Sequence, residues 1–432
     1  FLQAGKGWLY SQCRPIIGEI MAVCKTPPPA RLPHIRGLKM ATAAAGIRYS
    51  NRDDLTLFAL DKGANIGGIF TRNQIPGEPV IWNRELAKHG AVNGNARGIL
   101  VVAGNANVHC GAEGAAASRR WAEATAKQLG CRAEEIWLAA TGVIGETPPR
   151  GRVERALPKL TRNLQNKNWR AVSRAIWTTD TVEKAAGRQT SIGDAKVALA
   201  VVAKGSGMIA PDMATMLCFA FTDAALPPPL LRALLREAAA PFGHISVDGY
   251  PSTSDMVLFA ATGATAHAPV RKISDKALVL FRRALREAMY DVALSVVGDG
   301  EGASAVVELR VTGAPSDAAA ERIVRGLAAS PLVRTAFAGR DPNWGRLLQV
   351  AGALLPRTPR IVPEQISVFF DGLLVVRGGG VVSREAERRA ARLMRQEQYS
   401  VTVDLDAGKS HARLFTCDLT KDYVDINASY RS

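Results

Sequence analysis

One short segment of the sequence places an alcohol where it can cut its own chain. Residues 204–219 read KGSGMIAPDMATMLCF, in which two glycines and a proline precede the pair Ala214-Thr215. A threonine hydroxyl can attack the carbonyl before it, and hydrolysis of the resulting ester leaves the threonine as a new N-terminal residue. Its freed α-amine, with an ordinary pKa of about 7.7–8.0, is a usable base for its own hydroxyl. The segment is therefore compatible with cleavage before Thr215. Because Ala-Thr pairs are common, a purely structural threonine at the start of a strand is an equally open alternative at this point.

The histidines and cysteines offer no competing catalytic arrangement. The sequence contains six of each, without the H-E-x-x-H spacing of a metal site and without a C-x-x-C pair. This pattern argues against a metal site. Scattered cysteines in a chain of 432 residues are typical of reduced thiols, and we expect a cytoplasmic protein.

The charge of the chain favours small anions over nucleic acid. The formal net charge is +16, but the basic residues are spread along the chain and accompanied by acids. In SREAERRAARLMRQ (383–396), apolar residues recur at helical spacing, which predicts a solvated amphipathic helix. We expect the positive charge to attract substrates such as amino-acid carboxylates.

Apolar runs alternate between strand-like and helix-like patterns, which predicts an α/β or α+β fold. The predicted strands are LTLFALD (55–61), GGIFTRN (67–73), ARGILVVAG (96–104), AEEIWLAATG (133–142) and TMLCFAF (215–221). The predicted helices are GAAASRRWAEATAKQLG (114–130) and PLLRALLREAAAPFG (229–243), each with a glycine at or near its C-terminus. No apolar run is long enough to cross a bilayer, so we expect no membrane partner.

The length of the chain allows one large or two ordinary domains. Residues 1–20 begin without methionine and lack the apolar core of a secretory signal. We expect them to be an N-terminal appendage, with Met21 as the natural first residue. Cleavage before Thr215 would divide the remainder into fragments 21–214 and 215–432, which together form one catalytic unit.

Many motifs along the chain resemble one enzyme family. The segment from Lys204 to Leu217 resembles the self-cleavage segment of the ornithine acetyltransferases, also called bifunctional glutamate N-acetyltransferases of arginine biosynthesis. From about Arg36 to the C-terminus, further matching motifs are ATAAAGIRY (41–49), GIFTRNQ (68–74), GNAN (104–107), ATGVIGE (140–146), WTTDT (177–181), DGEGAS (299–304), SPLVRTAF (330–337), DPNWGR (341–346) and YVDINASYRS (423–432).

The resemblance implies roles for particular residues. Ala214-Thr215 matches the cleaved bond, with Thr215 as nucleophile, and Thr141 and Gly142 match the oxyanion hole. The positions that contact substrate in the family are Thr178, Lys204, Thr215, Glu301, Asn427 and Ser432. Their chemistry suits an amino acid, because Lys204 can meet a carboxylate and Glu301 an ammonium group.

The resemblance also implies a fold and a reaction. The fold would be an α/β layered α-β-β-α sandwich with a smaller C-terminal α/β region. Thr215 would take acetyl from N-acetylornithine and pass it to glutamate, with no metal or organic cofactor and with acetyl-CoA as an optional second donor. The cleaved protein would be a heterotetramer of two copies of each fragment.

Several positions depart from the family pattern. Tyr250-Pro251 stands in a run that is more polar in the family, Ser304-Ala305 replaces a Thr-Lys pair, and Asp212 replaces asparagine or serine. The first two departures are expected to affect substrate preference and turnover.

Two other functions are compatible with the residues. An aminopeptidase or amidase with an N-terminal nucleophile would resolve the acyl-enzyme with water. A basic binding protein with an inert Ala-Thr bond is the alternative outside enzymes.

Overall fold

The computed structural model describes residues 32–88, 95–210, 216–356 and 361–430. The strands are β1 (Leu38–Ala43), β2 (Leu55–Leu60), β3 (Asn65–Phe70), β4 (Gly98–Asn105), β5 (Ile136–Val143), β6 (Lys184–Ile192), β7 (Ala195–Lys204), β8 (Leu217–Ala224), β9 (Ile245–Ser246), β10 (Met256–Thr265), β11 (Val306–Ala314), β12 (Ser367–Phe370), β13 (Leu373–Arg377), β14 (Gly380–Val381), β15 (Gln398–Asp404) and β16 (Ser410–Cys417). The α-helices are α1 (Glu78–Lys88), α2 (Gly111–Leu129), α3 (Arg152–Arg162), α4 (Trp169–Ala175), α5 (Pro228–Ala238), α6 (Val279–Gly298), α7 (Asp317–Ala329), α8 (Pro331–Ala338), α9 (Trp344–Leu354), α10 (Arg384–Leu393) and α11 (Lys421–Ala428).

The described residues divide into two compact units. The larger unit contains residues up to Gly302 together with 414–416 and 421–430, and the smaller unit contains 303–413 and 417–420. The boundary after Gly302 does not coincide with the predicted cleavage site. Position 214–215 instead falls in the chain between β7 and β8, which pair antiparallel in one sheet of the larger unit with Lys204 opposite Leu217.

The larger unit is built on two sheets that face each other. Their strand orders are β1-β2-β4-β5 and β3-β10-β8-β7-β6. Phe58 of β2 lies between the sheets, with its ring centroid 5.4 Å from that of Phe219 and 4.7 Å from that of Phe221 in β8. The shared core is apolar because each sheet turns one face away from water here.

Helices cover the outer faces of both sheets. Leu100 and Val102 of β4 point away from the shared core into a second cluster, which contains Trp121 of α2 and Leu157 of α3. On the other sheet, α6 packs against β6 and β7, and α5 packs against β3. Strand β4 reads as an unbroken apolar run because both of its faces are buried. The predicted layered α-β-β-α sandwich is confirmed.

The smaller unit is a separate α/β layer. Its strands are ordered β14-β13-β12-β15-β11, with β11 and β15 parallel and β12 antiparallel to β15. Helix α7 packs against β11, and α10 packs against β13. The predicted amphipathic helix is confirmed as α10, which buries Ala386 and Ala390 and is capped by the Ser383 hydroxyl. This unit matches the predicted smaller C-terminal region.

The predicted elements are recovered with shifts at their ends. Strand β3 ends at Phe70, three residues before the predicted end, and β8 is assigned from Leu217 onward. The predicted glycine at the end of α2 is confirmed. Gly130 follows the helix in a left-handed conformation, and its N–H donates to Ala126 O. The glycine prediction is wrong for α5, which ends at Ala238 before a short 3₁₀ turn, because Pro241 has no N–H with which to continue the helix. Within the described ranges, no helix combines the length and apolar character needed to cross a bilayer.

Candidate active site

The larger unit brings three of the predicted site residues together around one ammonium group. Lys204 Nζ lies 2.6 Å from Thr178 Oγ1 and 3.4 Å from Thr141 Oγ1, and it donates to both. Thr141 is near the end of β5, Lys204 is the last residue of β7, and Thr178 lies in the turn after α4. Lys204 is only 7% exposed, so its charge acts in a largely dry environment, where it suits a carboxylate ligand.

The end of β5 has an unusual backbone at the predicted oxyanion hole. Gly142 has a φ of +133°, and a Cβ atom there would lie 2.2 Å from the carbonyl carbon of Gly104. The parallel pairing of β4 with β5 is irregular at this point, between Gly104 and Asn105. Glycine is therefore required by the close approach of the two strands. Because the Thr141 oxygen accepts from Lys204, its own proton is left to donate in another direction.

A second group of predicted residues surrounds the carboxylate of Glu301. Asn427 Nδ2 in α11 donates to Glu301 Oε2 at 2.7 Å, and the Glu301 N–H donates to Ser206 O at 2.8 Å. A Cβ atom on Gly207 would lie 2.4 Å from the carboxyl carbon of Glu301. The carboxylate is thus held against the loop that follows Lys204, where it is suited to an ammonium ligand.

Sequence reasoning missed a set of buried charges beneath Lys204. Lys184 Nζ donates to Asp180 Oδ1 at 2.7 Å and to Asp299 Oδ2 at 2.5 Å, and all three side chains are nearly inaccessible. Lys204 Nζ lies 3.6 Å from Asp180 Oδ2. Burial alone raises the pKa of Asp180, but Lys184 and Lys204 outweigh it and hold the pKa below its ordinary value. Asp180 and Asp299 stand in the quoted motifs WTTDT and DGEGAS, which was the signal available for them.

Two tyrosines near the site were also missed. Burial raises the pKa of Tyr430 to about 12, and the nearby Tyr49 and Glu301 act in the same direction. Burial also raises the pKa of Tyr49, while Arg52, which lies 3.7 Å above its ring, opposes the rise. Both phenols are therefore neutral near pH 7. Their only signal was their place in the motifs ATAAAGIRY and YVDINASYRS.

Ala214, Thr215 and Ser432 lie outside the described residues, and their roles stay predictions. The described chain on either side of the first two is anchored by the run 248–256. Asp248 accepts from the N–H groups of Met208 and Ile209 at 2.5 and 2.8 Å. Met256 N donates to Met216 O at 2.9 Å. Burial raises the pKa of Asp248 and raises that of Asp255 well above its ordinary value.

The residues that depart from the family pattern lie in different parts of the chain. Tyr250 is 72% exposed in the larger unit. Ser304 belongs to the smaller unit, where its N–H donates to Asp418 Oδ1 at 2.8 Å and its hydroxyl accepts from Arg340 at 2.9 Å. Asp212 lies outside the described residues. Within the portion of the chain that the structure describes, no group of His, Cys, Asp and Glu side chains is arranged to hold a metal ion.

The sequence matches the family model described as "ArgJ family" over residues 39–432. The chain belongs to the ArgJ family. It is 44% identical over 399 residues to the arginine biosynthesis bifunctional protein ArgJ of Gluconobacter oxydans (strain 621H), covering 92% of each chain. Its identity to the protein of the same name from Rhizobium meliloti (strain 1021) is 43% over 407 residues, or 93% of this chain and 97% of the relative. The resemblance to ornithine acetyltransferases is confirmed, and the chain is an acetyltransferase of arginine biosynthesis.

A solved structure gives a partial match. The crystal structure of arginine biosynthesis bifunctional protein ArgJ from Bacillus halodurans is 32% identical, with a TM-score of 0.43, and the match covers 48% of this chain and 96% of that chain.

Proposed function

We propose that this ArgJ family member transfers acetyl from N-acetylornithine to glutamate through an acetyl ester on Thr215. The observation that carries the proposal is the buried ammonium of Lys204, which lies beside the Thr141 and Thr178 hydroxyls. The Glu301 carboxylate lies against the loop after Lys204, next to Gly207. A buried cation and a fixed anion in one site match the carboxylate and the side-chain ammonium of N-acetylornithine.

The proposed reaction uses two acyl transfers. The α-amine of Thr215 takes the proton of its own hydroxyl as the oxygen attacks the acetyl carbonyl. The oxyanion that forms accepts hydrogen bonds from the Thr141 hydroxyl and the Gly142 N–H. Collapse breaks the C–N bond, the leaving amine takes the proton, and ornithine departs. The glutamate amine then attacks the ester carbonyl, which forms N-acetylglutamate and returns the proton to the Thr215 oxygen.

Positioning favours glutamate over water in the second transfer. An acceptor whose carboxylate is held by Lys204 presents its amine to the ester at a high effective concentration, which bulk water does not match. The proposal further includes cleavage before Thr215, a heterotetramer of two fragments of each kind, a cytoplasmic location and acetyl-CoA as a second acetyl donor. These parts are supported by the family membership and by the chemistry of the Ala214-Thr215 pair.

The test combines the state of the chain with the fate of the acetyl group. A denaturing gel of purified protein should show two fragments of similar size, and N-terminal sequencing of the second should begin TMLCF. Incubation with N-acetylornithine and isotopically labelled glutamate should give labelled N-acetylglutamate in step with ornithine. Thr215→Ala should remain one inactive chain, whereas Thr215→Ser, which keeps a hydroxyl, should retain cleavage.

Two results would contradict the proposal. Ornithine and free acetate formed at the same rate with and without glutamate would show a hydrolase. An uncut wild-type chain that transfers acetyl would rule out the N-terminal threonine as the base while leaving the overall reaction in place.

A further inference from the structure

The ammonium group of Lys184 lies fully buried behind the proposed substrate residues and belongs to none of the roles described above. It is the first residue of β6, and its side chain has an exposed fraction of 0%. Its Nζ donates to Asp180 Oδ1 at 2.7 Å, to Asp299 Oδ2 at 2.5 Å and to Val182 O at 3.3 Å. An ammonium group has three protons, so each of these acceptors can be matched by one proton.

The first of the two acids connects Lys184 to Thr178 and Lys204. Asp180 accepts from the N–H of Gly205 at 2.7 Å and from the N–H of Thr178 at 3.1 Å. The turn that carries Thr178 is therefore fastened to the residue that follows Lys204. A charged acceptor holding two backbone N–H groups is a strong restraint when it is buried.

The second acid connects Lys184 to the segment of Glu301. Asp299, two residues before Glu301, accepts from the N–H of Thr181 at 2.9 Å and also from its hydroxyl. Lys184 thus lies between the two carboxylates that fix the three substrate-binding segments.

The charges in this cluster balance only when Lys184 is present. Lys184 and Lys204 face Asp180 and Asp299, with Lys204 Nζ 3.6 Å from Asp180 Oδ2. Without Lys184, two buried carboxylates would share the single ammonium of Lys204. A substrate carboxylate would then enter a site with net negative charge, and like charges repel strongly in a dry environment.

We propose that Lys184 is a positioning residue that neutralises Asp180 and Asp299 and so leaves the positive charge of Lys204 available to the substrate carboxylate. This inference rests on the proposed function, because it assumes that Lys204 binds a substrate carboxylate. In this proposal Lys184 does not touch the substrate, but it determines how strongly the site attracts anions.

The proposed role of Lys184 predicts that the effect of removing it on substrate binding depends on pH. The charged and titratable groups that face Asp180 are Lys184, Lys204 and Asp299, together with the phenols of Tyr49 and Tyr430. Removal of Lys184 takes away a cation that lowers the pKa of Asp180, while burial, which raises it, remains. The Asp180 carboxyl should then take up a proton in mildly acidic solution, which cancels the excess negative charge. The binding defect should therefore shrink as the pH falls.

The experiment compares Lys184→Met with wild type in steady-state acetyl transfer. The KM for N-acetylornithine at about pH 8 should rise by roughly 10- to 100-fold, the range expected for a hydrogen bond to a charged group, while kcat changes far less. The increase should narrow toward pH 6, and the KM of wild type should show no matching change, because Lys184 and Lys204 keep the pKa of its Asp180 low. Lys196→Met, at an exposed position of β7, is the matched control and should leave KM unchanged.

A second variant separates charge balance from packing. Lys184→Met combined with Asp299→Asn removes one charge of each sign and should recover most of the lost affinity. If Lys184→Met alone does not fold, the double variant provides the test. A folded double variant with a KM near that of wild type supports the proposal. A folded double variant with a strongly raised KM overturns it. An unchanged KM in Lys184→Met, or a raised KM that neither low pH nor Asp299→Asn improves, also overturns it. A wild-type protein without acetyl transfer overturns the proposed function itself, which distinguishes the two failures.

Discussion

Gly142 lies so close to Gly104 that a single methyl group on Gly142 would stand 2.2 Å from the Gly104 carbonyl carbon. Both glycines have positive φ values, of +133° and +100° respectively. The contact is backbone against backbone, so no side chain can move aside to relieve it. It joins the ends of β4 and β5 at the proposed oxyanion hole.

Gly142→Ala is therefore expected to lower both stability and turnover. The added methyl group must push the ends of β4 and β5 apart, which displaces the Gly142 N–H by a distance that matters for an oxyanion donor. Loss of one such donor typically costs about 10²- to 10³-fold in kcat. Thermal unfolding and steady-state kinetics measure the two effects.

Gly145→Ala is the matched control for that substitution. Gly145 also has a positive φ, of +81°, but a Cβ atom there meets nothing within 4 Å. Gly145→Ala should lower the free energy of unfolding only by the cost of placing alanine at a positive φ, roughly 1–2 kcal/mol, and kcat should be retained. Equal losses of kcat in both variants would show that the close approach has no catalytic role.

Thr141→Ala tests the other proposed oxyanion donor. Its hydroxyl oxygen accepts from Lys204 at 3.4 Å, which leaves its proton for the reacting oxygen. Because the donor acts mainly on the transition state, kcat should fall by about 10²- to 10³-fold with much less change in KM. Thr141→Ser keeps the hydroxyl and should retain most of the activity. A raised KM with unchanged kcat in Thr141→Ala would assign the residue to binding instead.

Gly207→Ala should weaken substrate binding without unfolding the protein. A Cβ atom there would meet the Glu301 carboxyl group at 2.4 Å, and that group is the far end of a flexible side chain that can turn away. The displaced carboxylate would no longer meet the substrate ammonium, and we expect KM to rise by about tenfold or more with an unchanged melting temperature. Gly352→Ala, in open space on a helix, is the control and should leave KM unaffected. An unchanged KM in Gly207→Ala would contradict the role of Glu301.

Asp255 and Asp180 should respond to amide substitution with opposite signs. Burial raises the pKa of Asp255 well above its ordinary value, so its stabilising contribution is present at low pH and is lost as the pH rises through the raised pKa. Asp255→Asn removes the buried charge while keeping an acceptor for the Ser252 N–H, which lies 2.9 Å away. Its melting temperature should exceed that of wild type near pH 8, and the gain should disappear near pH 4.

For Asp180 the cations lower the pKa despite burial, so its contribution is present above the ordinary carboxyl pKa and is lost only as the pH falls below it. Asp180→Asn should accordingly lower the melting temperature near pH 8, because it leaves Lys184 with one carboxylate. Melting curves over a pH series measure both variants. A destabilising Asp255→Asn at pH 8 would show that the carboxylate has a partner strong enough to offset its burial.

Several elements of the fold were predictable because local patterns specify them. The apolar runs of β2, β4 and β5 identified strands, and the glycine after α2 identified its end. The end of α5 was not predictable from its nearest glycine, since Pro241 interrupts the helix first. Local propensity acts over a few residues, so such boundaries depend on which nearby signal is stronger.

The candidate site was predictable only in part. The family motifs predicted Thr141, Thr178, Lys204 and Glu301 as site residues. In the structure, the Lys204 ammonium donates to the hydroxyls of Thr141 and Thr178. Nothing in the run KAAGRQTSI marks its lysine as buried. That position follows from the register of β6 with β7, in which Lys184 lies opposite Ala203, next to Lys204.

The sequence by itself determined the family and several of the strands and helices, and it predicted cleavage at the Ala214-Thr215 pair, because these features reside in short contiguous motifs. The tertiary structure alone decided which charges meet. Lys184 contacts Asp299 across 115 positions of the chain, and Lys204 contacts Thr141 across 63. Sheet register decides which of these residues meet, and burial decides how strongly their charges interact. Neither is encoded in a short local sequence pattern.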